Sequence, residues 1–312
     1  MEKTPITDRI RDEFIRQFGD LIKVDHPLDG YCTFGTGGRA KLFAEVSSPG
    51  PIVKLMKAAR EADIEVFMLG GGSNLLISDR GYDGLIIKNS ILGLEKHGMS
   101  IISGAGEDLQ ALVDFAADNE LSGLEFATGI YGTVGGAIFG NAGAYGSETG
   151  SLLEWAELVD RQGSIRTEEA AYFEFSYRRS KLKITGEFIT RAKFALKAGK
   201  KEAIRTKMQE VMLQRECKLP VNKMTAGCFF KNIPDPSQPF GKLPAGKLLE
   251  EIGAKSLSVG GARVFEKHAN IIINDGSANS NDIRLLADRL KKLVHAKFGI
   301  ELEEEVTRLG KF

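Results

Sequence analysis

Alternating helical and strand patterns, broken by glycine-rich loops, predict an α/β or α+β layered fold. Three observations carry that expectation. Ile52, Leu55, Met56 and Ala59 recur at i, i+3, i+4 and i+7, which predicts an amphipathic helix over about 51–62. The run from Glu65 to Leu69 then reads as a strand that ends directly in Gly70-Gly71-Gly72-Ser73-Asn74. Glycine is also concentrated rather than scattered: eight lie in the twenty-two residues from Gly129 to Gly150.

The remaining elements follow the same rules. Leu85–Lys88 is a second apolar run, and Met99–Ser103 a weaker strand. Leu109, Leu112, Val113 and Ala116 mark a helix that ends before Leu121. Thr190, Ala192, Phe194 and Leu196 alternate with charged neighbours, the signature of a half-buried strand. Ile204, Met208, Val211 and Met212 predict a helix reaching about Glu216. The segment Lys218–Gly246 holds five of the nine prolines and reads as an irregular junction into a C-terminal domain. Beyond it, Ser280 or Asn281 can cap a helix whose apolar face is Ile283, Leu286, Ala287, Leu290 and Val294, with Gly299 as its stop.

Composition narrows the function classes. A chain of 312 residues has room for two or three domains. Hydrophobic residues at 42% and charged residues at 27% are ordinary for a globular protein. Lys plus Arg and Asp plus Glu are both 42, which speaks against a general nucleic-acid or membrane-surface binder. No apolar run approaches the roughly 20 residues of a membrane helix, and the N-terminus lacks a secretory h-region. Cys32, Cys217 and Cys228 form no CxxC pair, so a reduced, cytoplasmic setting is expected. The four histidines have no metal-ligand spacing, so no metal is expected.

Two nucleotide signatures fail on inspection. Gly35-Thr36-Gly37-Gly38-Arg39-Ala40 fits GxGxxA, but a Rossmann turn must open a helix and the following KLFAEV alternates like a strand. Residues 241–248 approach a P-loop, yet Leu248 stands where a hydroxyl must reach magnesium and Pro244 stiffens the loop. Three glycine clusters survive, TFGTGG (33–38), LGGGSNLL (69–76) and TGIYGTVGGAIFGNAGAYG (128–146). The last carries apolar anchors (Ile130, Val134, Ile138 and Phe139 among them) that a flexible linker lacks. Its glycine density also argues against an ordinary helix. Such a segment suits close backbone approach to an anionic ligand, and a nucleotide or dinucleotide cofactor is expected.

Longer motifs then carry a family resemblance. LGGGSNLLISDRGYDG (69–84), GLEFATGIYGTVGGAIFGNAGAYG (123–146), FSYRRS (175–180), AGCFFKN (226–232), AGKLLEEIGAKSLSVGGARVFEKHANIIIN (245–274) and FGIELEEEVTRLG (298–310) occur in order. In these the chain resembles the UDP-N-acetylenolpyruvoylglucosamine reductase (UDP-N-acetylmuramate dehydrogenase) family of bacterial cell-wall precursor synthesis, from about Thr33 to Gly310. The resemblance implies an α+β fold: a two-subdomain FAD-binding module of the vanillyl-alcohol-oxidase type (1–88 and 89–217) and a C-terminal α+β substrate domain (218–312). It implies FAD held by Gly70, Gly71, Gly72, Ser73, Asn74, Gly129, Gly132, Thr133, Gly135, Gly136, Asn141, Ala142 and Gly143. The reductant would be NADPH, the substrate UDP-N-acetylglucosamine enolpyruvate, and the enzyme a monomer.

Its implied chemistry is hydride delivery to the terminal enolpyruvyl carbon, followed by protonation of the neighbouring carbon. Arg178, Glu305 and a proton donor at Cys228 are the catalytic residues implied. Lys218 and Asn232 align with positions that contact the nucleotide moiety, and Tyr177, Glu266 and His268 with the substrate cleft. Three departures stand out: Cys228 where serine is commoner, Tyr131 for proline in GIPGTVGGA, and Ile233 for proline after FKN. Taken alone, Cys228 reads equally as a small buried hydrophobe. Arg178 and Glu305 are preferred to Arg179 and Glu304 by motif register only. An FAD-linked oxidase of the same flavin fold, or a homologue that binds without catalysis, are the rival functions.

Overall fold

The computed structural model describes residues 3–220, 223–238 and 241–312. They form two compact units. The first gathers Met1–His26, Lys41–Gly71 and Asp83–Gln214, and the second Pro27–Ala40, Gly72–Tyr82 and Arg215–Phe312. The second unit thus recruits two N-terminal segments beyond the C-terminal region 218–312, and the chain passes between units at Gly71 and Gly72.

The first unit contains two sheets. In one, Ile22–Pro27, Arg39–Val46, Tyr82–Asn89 and Val66–Leu69 lie side by side in that order. The last two are parallel, with Val66 opposite Leu85 and Leu69 opposite Lys88. Arg39–Val46 is a strand, as the alternation after GTGGRA required. The helix Pro49–Glu61 buries Ile52, Leu55, Met56 and Ala59 against Leu42, Ala44, Leu85 and Ile87. In the other sheet, Ile165–Glu169, Leu153–Val159, Phe188–Ala195, Ser100–Gly104 and Leu94–His97 are antiparallel neighbours in that order. Over it lies the helix Leu109–Asp118, capped by Asp108 and burying Leu112, Val113 and Ala116. The strands of one sheet fall within 22–89 and those of the other within 94–195.

The expectation that the glycine-dense stretch avoids regular structure is overturned. Val134–Gly140 is an α-helix despite Gly135, Gly136 and Gly140. Tertiary packing outweighs propensity here: a Cβ on Gly135 would sit 3.0 Å from both the Cβ and the carbonyl oxygen of Ala105. Val134 and Ile138 are fully buried on the other side of the bargain. A hairpin follows, Gly143–Ala144 against Ser147–Glu148. Its two turn residues, Tyr145 and Gly146, have φ of 53° and 81°, the left-handed pair of a type I′ turn.

In the second unit, Ser258–Val259, Ala262–Phe265 and His268–Asn274 form an antiparallel sheet. A parallel pair joins Leu75–Ile77 to Thr307–Leu309. The helix Ser280–Phe298 buries Ile283, Leu286, Ala287, Leu290 and Val294, and Gly299 ends it in the left-handed region. Its cap is one residue earlier than expected. Asn279 accepts from Asp282 N–H and Asp282 reciprocates, a capping box. Ser280 instead gives its hydroxyl to Asp79 at 2.7 Å. Among the described residues, no helix is long and apolar enough to cross a membrane.

Removing the cap tests this assignment. Asn279→Ala should cost about 1 kcal/mol in urea denaturation, whereas Asn281→Ala should cost less than half of that; the reverse order would place the cap at the sequence-expected position.

Candidate active site

In the first unit, the glycine turn at 70–71 packs on a second turn at 132–133. A Cβ on Gly71 would lie 2.9 Å from the Gly132 Cα, and one on Gly70 would lie 2.6 Å from Thr133 Oγ1. Lys88 locks the first turn by donating to the Gly70 carbonyl at 2.9 Å. Burial pushes that ammonium below the ordinary lysine value, with Glu45 opposing the shift. Leu109 N–H donates to the Gly132 carbonyl at 3.0 Å and fixes the second turn. Among the described residues, the N–H groups of Gly70, Gly71, Gly132 and Thr133 meet no acceptor. Four unspent donors, three of them on glycines, form a cradle for an anion.

The short helix after the cradle plays a different part. Its first N–H groups are consumed: Val134 by Glu107 O, Gly135 by Ala105 O and Gly136 by Thr133 Oγ1. Gly135 and Gly136, expected at the cofactor, therefore serve helix packing and capping. Gly129 donates its N–H to Gln110 Oε1 at 2.8 Å, and its φ of 71° sets the loop that leads to the cradle. Thr128, just before it, buries a hydroxyl that finds no hydrogen-bond partner among the described residues. Ala142 accepts from both N–H and Oγ1 of Thr149 at 2.8 Å, and Gly143 sits where a Cβ would strike Ser147 O at 2.6 Å. Both residues hold the hairpin. Tyr131 is 76% exposed, so the proline it replaces leaves a ring standing out from the loop.

Arg178 occupies a strained turn in the same unit. Ser176 and Arg179 exchange hydrogen bonds at 3.1 and 3.0 Å, closing Tyr177 and Arg178 between them. Arg178 has φ of 55°, a conformation that favours glycine and costs other residues about 1–2 kcal/mol. Strain of this kind persists only where surrounding bonds enforce it. The Arg178 guanidinium lies 5.5 Å from the Tyr177 ring centroid, and Lys183 Nζ donates to the Arg178 carbonyl at 2.8 Å. Arg178 is half-buried where Arg179 is exposed, a physical difference that register alone did not supply.

Cys228 and Glu305 come together in the second unit. The segment from Cys228 to Lys231 runs between the strand His268–Asn274 and residues 303–305. Cys228 pairs with Ile271, Phe229 N–H donates to Asn270 O at 2.7 Å, and Phe230 pairs with Glu304. Glu305 N–H donates to Phe229 O at 2.8 Å, one residue from Cys228. Asn270, almost fully buried, bonds both backbone atoms of Phe230 at 2.9 and 2.8 Å. The neighbouring carboxylates are spent elsewhere: Glu303 pairs with Lys231, and Glu304 takes both Arg308 nitrogens at 2.6 and 2.8 Å. Cys228 is half-buried and packs against the cluster of Phe265, Ile271 and Ile273.

Other expected residues take varied positions. Asn74 Nδ2 donates to the Glu305 carbonyl at 3.0 Å, and Asn74 O accepts Thr307 N–H, so Asn74 supports Glu305. Gly72 has φ of 65° and no room for a Cβ beside Tyr31 O, while Ser73 is half-buried in the turn after it. Asn232 Oδ1 accepts the first N–H of the helix Ala245–Glu251 at 3.1 Å. Glu266 is exposed in the tight turn between Phe265 and His268. His268 Nδ1 accepts from Asn270 N–H at 3.3 Å. Burial lowers its pKa, Glu250 opposes this, and Lys255 and Lys218 lower it further, which brings Lys218 within electrostatic reach of the ring. Sequence reasoning missed Lys88 and Asn270. The available signal was a polar residue inside an apolar strand, LIIK and HANIII.

Comparison with known proteins agrees with these motifs. Residues 219–309 match the family described as UDP-N-acetylenolpyruvoylglucosamine reductase, C-terminal domain, and residues 40–168 match the FAD binding domain. The UDP-N-acetylenolpyruvoylglucosamine reductase of Caldanaerobacter subterraneus subsp. tengcongensis is 38% identical over 288 residues, covering 92% of this chain and 93% of that protein. That of Solibacter usitatus is 36% identical over 303 residues, covering 93% and 97%. The chain belongs to the UDP-N-acetylenolpyruvoylglucosamine reductase family. A crystal structure of the UDP-N-acetylenolpyruvylglucosamine reductase of Thermus caldophilus matches it with a TM-score of 0.77 and 33% identity, over 93% of this chain and 100% of that one.

Members of this family are oxidoreductases, and the FAD-binding domain makes FAD the cofactor. The residues fit it. The cradle of Gly70, Gly71, Gly132 and Thr133 offers backbone donors, with no room for a Cβ at Gly70 or Gly71, as a pyrophosphate needs. The Thr128 hydroxyl is a buried polar atom with no hydrogen-bond partner among the described residues.

Two measurements check the geometry. Gly71→Ala should push Gly132 away at a cost of about 1–3 kcal/mol and yield protein with little bound flavin; wild-type flavin content would contradict the cradle. The His268 ring, neutral at pH 7, should titrate by NMR below the unfolded value of about 6.5. Stability should then fall as pH drops through 6.5, because the unfolded chain binds the proton first. A midpoint above 6.5 would contradict the burial argument.

Proposed function

We propose that the chain reduces UDP-N-acetylglucosamine enolpyruvate to UDP-N-acetylmuramate in peptidoglycan precursor synthesis, with NADPH as the electron source. The observation that supports this reading is that the Glu305 N–H bonds Phe229 O, the residue next to Cys228, within a segment that matches the family's C-terminal domain. A thiol and a carboxylate carried on neighbouring backbone segments suit proton delivery next to a substrate carboxylate.

Reduction adds hydride to the terminal carbon of the enolpyruvyl double bond and a proton to the carbon bearing the carboxylate. FAD, when bound, supplies the hydride chemistry. The protein must then stabilise the enolate that develops over the carboxylate and deliver the proton. Arg178 offers a planar, permanently charged guanidinium to the carboxylate. Glu305 is assigned to the stabilisation of the developing negative charge. Cys228 gives up the thiol proton to the carbon. With an ordinary pKa near 8.5, a thiol is a far stronger acid than the hydroxyl more common at this position. Tyr177, Lys218, Asn232, Glu266 and His268 orient the substrate, Lys218 as a cation suited to phosphate. A single chain carries every residue assigned a role, so a monomer suffices, and a nucleotide-linked substrate with NADPH puts the reaction in the cytoplasm.

The test follows NADPH oxidation by the flavin-loaded protein with and without the enolpyruvyl substrate. Turnover that requires the substrate supports the reading; turnover indifferent to it, or coupled only to oxygen, sinks it. Cys228→Ala should leave flavin reduction by NADPH intact and lower transfer to substrate by about 10²–10⁴. Normal rates in both half-reactions would remove Cys228 as the acid, whereas Cys228→Ser should retain part of the transfer rate.

A further inference from the structure

Asn141 was expected among the cofactor-binding residues, but its side chain is turned fully inward, with no exposed surface. Its Oδ1 accepts the Gly150 N–H at 2.9 Å, and its Nδ2 donates to the Ser176 carbonyl at 3.0 Å. A backbone N–H can only donate and a carbonyl can only accept, so the amide orientation is forced and neither end is interchangeable. The Ser176 carbonyl also receives the Arg179 N–H at 3.0 Å, the bond that closes the turn carrying Arg178. That turn holds Arg178 at φ of 55° and so depends on bonds from outside it.

Two such bonds come from one place. Asn141 reaches Ser176, and Ser180, itself fully buried, gives its hydroxyl to Phe139 O at 2.7 Å. Phe139 and Asn141 both belong to the C-terminal end of the helix Val134–Gly140, with Asn141 as its left-handed cap at φ 46° and ψ 58°. The other end of that seven-residue helix is Thr133, part of the glycine cradle. Gly150 completes the clamp, since a Cβ there would stand 2.6 Å from the Phe175 ring and 2.9 Å from Asn141 Oδ1.

We propose that Asn141 is a positioning residue for Arg178, not a cofactor ligand: it transmits the placement of the glycine cradle through one helix to the turn that presents the guanidinium to the substrate carboxylate. This rests on the reading of Arg178 given above. Asn141→Asp keeps the size and the acceptor for Gly150 but sets an oxygen against the Ser176 carbonyl. Asn141→Gly keeps the left-handed backbone and removes both bonds.

The experiment uses flavin-loaded enzyme and measures flavin content, flavin reduction by NADPH, and transfer to the enolpyruvyl substrate. In both variants flavin content and reduction should stay within about twofold, while transfer falls about tenfold or more in kcat/KM. In an Arg178→Lys background the same Asn141→Asp change should cost less than twofold, because the geometry it protects is already lost. Equal losses in both backgrounds, unchanged transfer, or loss of flavin from both variants would overturn the proposal. If one variant fails to fold, the other decides. If wild-type protein does not turn over the enolpyruvyl substrate, the reading of Arg178 fails on its own account. Hydrogen exchange then decides the clamp: the Arg179 amide should exchange faster in Asn141→Gly while the sheet strand Phe188–Ala195 is unaffected, and unchanged exchange at Arg179 overturns it.

Discussion

Gly71 lies so close to Gly132 that a single methyl group would not fit between them, and much of the first unit is arranged around that approach. The two turns are held by different means, Gly70 by the ammonium of Lys88 and Gly132 by the start of the helix Leu109–Asp118. With the Gly70 and Gly132 carbonyls tied, the N–H groups of the two turns stay unspent, and backbone donors fixed in this way need no reorganisation when an anion arrives. The helix that follows is too rich in glycine to be stable by itself. It exists because Gly135 lets it settle on Ala105, and its rigidity is what allows its far end to hold the Arg178 turn.

The second unit solves a similar problem with carboxamides in place of glycines. Asn270 bridges both backbone atoms of Phe230, Asn74 takes the Glu305 carbonyl, and Asn232 receives an N–H of the helix Ala245–Glu251. Each side chain carries one donor and one acceptor end, so it can stand in for a strand neighbour where the chain is irregular. Charge is sorted in the same region. Lys231 and Arg308 draw Glu303 and Glu304 into ion pairs.

Much of this was legible in the sequence. The helix of Ile52 and Leu55, the strand ending at Leu69 and the helix of Ile283 to Val294 follow from burial patterns with a fixed period, and each occurs where the pattern put it. Long motifs in order led to the family that the comparisons establish. Less legible was the role of each motif residue. Gly135, Ala142, Gly143 and Asn141 sit in one glycine-rich string with Gly132 and look alike on paper, yet they serve packing, a hairpin and a clamp. A linear motif records which residues are needed together but not which atoms they meet.

From its sequence alone, this protein was legible as an α+β chain with glycine turns suited to an anionic cofactor and long motifs, in order, that carry a family resemblance. Periodic burial and residue chemistry are local properties, carried by spacing. What only the tertiary structure decided is which donors remain unspent, which arginine is half-buried in a strained turn and which glutamates Lys231 and Arg308 take. These depend on partners more than two hundred residues away, such as Asn74 on Glu305, and hydrogen-bond capacity is settled only when every such partner is in place.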